Sequence, residues 1–65
     1  MLKADAEREA IRRWRELPKQ ERKSNDQAAS FAMKILADIE FTTSANRYEM
    51  IKRWLQKDLA LRGGL

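Results

Sequence analysis

The chain predicts an all-α fold, a small three-helix bundle with the second helix as its central hub, and three observations lead there. Apolar residues recur at helical spacing in three stretches, about 3–17, 26–40 and 45–62. Punctuation falls between them, with Pro18 after the first stretch and Thr42, Thr43 and Ser44 before the third. Composition agrees, since 43% of the 65 residues are hydrophobic, too many for disorder, beside two glycines and one proline. A chain this short makes one domain, residues 1–65, that buries only roughly 60% of the surface its unfolded form exposes. The alternative arrangement is a helical hairpin with a loosely docked first helix, completed by dimerisation.

The first helix is rich in Ala, Arg and Glu, all good helix formers. At about 100° per residue, Leu2, Ala6, Ala10, Trp14 and Leu17 share one face with Ile11 at its edge, and Arg8, Arg12 and Arg15 gather opposite. Residues 18–25 hold no apolar side chain and form a connection, with Pro18 suited to start a short turn. Ser24 and Gln27 have capping-box spacing, and Asp26 suits the positive end of the second helix. Ala28, Ala29, Phe31, Ala32, Ile35, Leu36 and Ile39 cover about half of that helix, a stripe wide enough to touch two neighbours. Thr43 or Ser44 caps the third helix and Gly63 stops it. Tyr48, Ile51, Leu55 and Leu59 form its core stripe, and Met50, Trp54 and Leu61 form a second apolar edge about a third of a turn away.

Several chemistries are disfavoured. Without His or Cys the chain lacks the usual neutral-pH base, the commonest metal ligands and any thiolate, and Ser24, Ser30 and Ser44 have no partner to activate them. Asp38 and Glu40 point about 160° apart on a helical wheel, so they make no paired acid–base site. No Gly-rich phosphate loop or calcium loop is present. The expectation is a non-enzymatic protein without cofactor or metal. The absence of cysteine fits a reducing compartment, with the cytoplasm as default. No apolar run approaches the roughly 20 residues of a membrane span, and the half-alanine face of the first helix inserts poorly into a lipid surface.

Charge is laid out unevenly. Fourteen Lys and Arg against ten Asp and Glu give a net charge of +4. Residues 1–23 carry eight basic and five acidic side chains, residues 24–41 one and three, and residues 42–65 five and two. Two functions follow as expectations. In the first, Met50, Trp54 and Leu61 are an exposed contact edge for a second copy or for another protein, which the chain would regulate or inhibit. There Arg47, Arg53 and Lys57 form a basic rim that steers toward an acidic surface. In the second, Arg8, Arg12 and Arg15, continued by Lys19, Arg22 and Lys23, track a nucleic-acid backbone. In a helix-turn-helix arrangement Asn46, Arg47 and Glu49 face bases, and Lys52 and Arg53 face phosphates. The pairs Glu9–Arg13, Glu49–Arg53 and Asp58–Arg62 have favourable helical spacing and leave the arginine stripe unpaired.

Overall fold

Pro18 and a change of hydrophobic period near residue 36 decide where the helices stop. In the computed structural model, which describes residues 1–62, three helices follow one another. They are α1 (Lys3–Arg15), α2 (Asn25–Ile35) and α3 (Arg47–Arg62), with a 3₁₀ turn at Lys19–Glu21 between the first two. Gly63, expected to stop the last helix, lies outside the described residues.

α1 ends two residues before the expected Leu17. A residue preceding proline is pushed out of the helical region, and Glu16 and Leu17 instead donate backbone bonds to the carbonyls of Arg13 and Trp14, both at 3.2 Å. The predicted capping box at α2 is formed: Gln27 N donates to Ser24 Oγ and Ser24 N to Gln27 Oε1, each at 3.1 Å. α2 stops at Ile35 rather than near Glu40, and the chain turns at 36–38. Beyond it Ile39 and Phe41 are buried while Glu40 and Thr42 are exposed, the period-2 alternation of an extended segment. The stretch Ile-Glu-Phe-Thr-Thr is poor in helix formers, so its apolar residues reach the core from a strand-like path.

α3 begins at Arg47, and its cap is Asn46 rather than Thr43 or Ser44. Asn46 Oδ1 accepts from Glu49 N at 3.0 Å, and its carbonyl accepts from Met50 N at 3.1 Å. Thr43 Oγ1 accepts from Ala45 N at 3.1 Å and shapes the bend just before it.

The bundle is joined mainly through α3, which packs on both α1 and α2, whereas α1 and α2 meet over a shorter contact. The shared position expected of the second helix therefore belongs to the third. Trp14, Ile39, Ile51 and Leu55 are the largest fully buried side chains. Two pairs of buried alanines at i,i+4 spacing, Ala6 and Ala10 on α1 and Ala28 and Ala32 on α2, let the backbones approach closely. Trp14 lies against Phe31 with ring centroids 5.8 Å apart, closing α1 on α2. Leu2, expected on the core face, precedes the first turn and is exposed. Among the described residues no helix is long and apolar enough to cross a membrane.

Candidate functional site

The connection between α1 and α2 is polar in sequence but fastened in structure. Gln27 holds it from α2: its Oε1 accepts from Lys23 N at 2.6 Å as well as from Ser24 N, and its Nε2 donates to the Gln20 carbonyl at 2.8 Å. Arg22 folds back so that its Nε donates to the Leu17 carbonyl at 2.9 Å. These bonds set Lys19, Arg22 and Lys23 along one wall of a cleft whose other wall is the last turns of α3, with Asp58, Leu59 and Arg62. Trp14 lines it between the walls, and the open volume is about 630 Å³.

Four cations thus line a cleft that also holds one carboxylate. Asp58 is only 6% exposed, and Arg15 Nη2 donates to its Oδ1 at 2.7 Å, tying the end of α1 to α3. That hydrogen bond raises the Arg15 pKa above its ordinary value, against a smaller opposing effect of burial. Asp58 falls on the α3 stripe of Ile51 and Leu55, at i+7 and i+3. A charge on a core stripe is a sequence signal that an oppositely charged partner waits for it, and spacing alone assigns that partner to Arg62 instead of Arg15.

The arginine stripe of α1 is not unpaired. Arg8 bonds Asp5, and Arg12 bridges Glu9 at 2.6 Å and Glu16 at 2.7 Å. The expected Glu9–Arg13 pair is present at 2.7 Å, and Arg13 also reaches Asp38 at 3.4 Å. Glu49 pairs with Lys52 at 3.2 Å in place of Arg53. Spacings of three and four both bring helical side chains together, and the acidic residues of α1 use them to engage the stripe.

Glu9 sits between two guanidiniums. Hydrogen bonds from Arg12 and then Arg13 lower its pKa from 4.5 to about 2. A carboxylate whose pKa is depressed by folding stabilises the fold above its unfolded pKa, and that contribution fades as pH falls through the folded value. Acid titration of the wild type followed by circular dichroism is expected to show stability falling between pH 4.5 and 2. Glu9→Gln is expected to flatten this part of the profile.

The start of α3 does not join the cleft. Asn46 is occupied as a cap, Arg47 Nη1 donates to the Ile39 carbonyl at 3.3 Å, and Lys52 lies 5.4 Å from the Tyr48 ring centroid while pairing with Glu49. Arg47 and Arg62 are separated by roughly 22 Å of helix axis at 1.5 Å per residue. The connection before α3 spans residues 36–46, far longer than the three or four residues of a helix-turn-helix turn. That motif is therefore absent from α2 and α3.

The apolar edge expected on α3 is divided. Trp54 is 9% exposed and stacks at a tilt on Phe41, with centroids 5.2 Å apart. Met50 is half-buried, its sulfur accepting from Thr43 Oγ1 at 3.2 Å, and Leu61 is exposed. Phe41, arriving on the extended segment, covers what the helical wheel left open, so Met50, Trp54 and Leu61 form no continuous surface for a second copy. Arg53 and Lys57 are exposed on this side, and Arg47 is half-buried. No protein-family model, curated protein or solved structure matches the chain.

Proposed function

We propose that the protein is a non-enzymatic binding module, and that its basic cleft holds the phosphate backbone of a nucleic acid. The observation that carries this reading is the convergence of Lys19, Arg22, Lys23 and Arg62 from two separate elements onto one open cleft. Lysine and arginine in such a groove neutralise phosphates and release their counterions, so affinity follows the number of contacts and falls with salt. Trp14 is 1% exposed and offers no face for a base to stack on, which favours backbone contacts over base reading. A cysteine-free chain working on intracellular nucleic acid belongs in the cytoplasm.

Fluorescence anisotropy of labelled oligonucleotides at 50 and 200 mM salt tests it. Four phosphate contacts on a single strand predict an affinity loss of roughly 50-fold over that range, since log K falls against log salt with a slope of about 0.7 per phosphate. The other occupant is an acidic protein segment, steered by the same charges. Binding of a polyglutamate peptide with no binding of oligonucleotide would assign the cleft to that partner.

A further inference from the structure

We propose that the cleft selects a ribonucleotide backbone over a deoxyribonucleotide one, with Asp58 accepting a hydrogen bond from the 2′-hydroxyl. This rests on the reading of the cleft as a phosphate site and adds to it the choice of sugar. A carboxylate beside phosphates repels them, so one on the wall of a phosphate cleft calls for a donor on the ligand. Asp58 is more than nine-tenths buried and lines the cleft. Arg15 engages Oδ1, while Oδ2 has no hydrogen-bond partner among the described residues. No fully buried side-chain nitrogen or oxygen there lacks a partner. Oδ2 is consequently not sealed in the core, and Asp58 is one of the residues that line the cleft.

An ionised carboxylate only accepts, so it recognises a donor. A polyanion that brings a donor next to every phosphate is RNA, through its 2′-hydroxyl, the group by which proteins tell it from DNA. The bond from that hydroxyl to Asp58 is charge-assisted and forms in a water-poor corner. A deoxyribose leaves the acceptor desolvated and unpaired, and rejection of a ligand lacking the donor is where such sites discriminate most strongly. The cations then hold the phosphates on either side, and the bond from Arg15 to Oδ1 keeps Asp58 aimed.

Three oligonucleotides with one base test this on the full chain: oligouridine, oligodeoxyuridine and 2′-O-methyl oligouridine, each titrated by anisotropy at 50 mM salt. Oligouridine is expected to bind about tenfold tighter or more than the other two, as the loss of a hydrogen bond to a charged group implies. The 2′-O-methyl strand keeps the ribose pucker without the donor, so binding equal to that of oligouridine would overturn the role of Asp58. Equal, salt-dependent binding of all three strands would overturn the selectivity and leave the phosphate site standing. Failure of every strand to bind would remove both. Asp58→Asn keeps an acceptor for Arg15 and is expected to erase the preference; a preference that survives in the folded variant contradicts the assignment.

Discussion

Trp54→Ala is expected to unfold the bundle or bring it to the edge of unfolding. The indole is almost fully buried, packed on Phe41, and part of the same core as Ile51 and Leu55. Truncating a buried tryptophan removes its transfer energy and leaves a cavity, a loss of about 3–5 kcal/mol. That is a large share of what a domain of this size possesses, since stabilities run at roughly 0.05–0.15 kcal/mol per residue. Thermal unfolding followed by circular dichroism should show the midpoint falling by at least about 12 °C, at about 4 °C or more per kcal/mol for a small domain. A midpoint within about 2 °C of wild type would mean that Trp54 is a surface anchor and that Phe41 does not cover it. The outcome therefore separates the core placement of this residue from the contact edge expected from the sequence.

Reversing two charges in the cleft has the next largest expected effect. Lys19 and Lys23 are exposed, neither forms an ion pair among the described residues, and both line the cleft. Lys19→Glu combined with Lys23→Glu should leave the fold intact, as surface changes of this kind usually do. It should lower the salt slope by about 1.4, and at 50 mM salt the lost counterion release alone is worth roughly 60-fold in affinity. Arg53→Glu with Lys57→Glu changes net charge equally on residues that do not line the cleft, and should cost much less. Equal losses in the two double variants would show that binding follows net charge rather than this cleft.

Much of the fold could be read from the sequence because its signals are local. The Ser24–Gln27 capping box, the Pro18 stop and the Ala6, Ala10 and Trp14 face each follow from residues near one another in the chain. The end of α2 was hidden because Ile39 satisfies a helical stripe and a strand alternation alike, and only the β-branched and aromatic residues around it favour the latter. With a helix running through Ile39 the α2–α3 connection looks short, which produces the helix-turn-helix expectation.

The site was legible in part. Lys19, Arg22 and Lys23 stand together in sequence, and the connection keeps them together. Their pairing with Arg62 and Asp58 depends on how α3 crosses the end of α1, a long-range fact that no spacing encodes. The arginine stripe failed for the opposite reason. Local acidic residues at spacings of three and four were present all along, and Asp5, Glu9 and Glu16 take up Arg8 and Arg12.

Backbone amide chemical shifts, recorded by ¹⁵N-resolved NMR during titration with oligouridine at low salt, locate the bound strand. Shifts are expected at residues 19–23 and 58–62, from both walls of the cleft at once. Shifts confined to the side of α3 that carries Met50, Arg53 and Lys57, or no shifts at all, would contradict binding in the cleft.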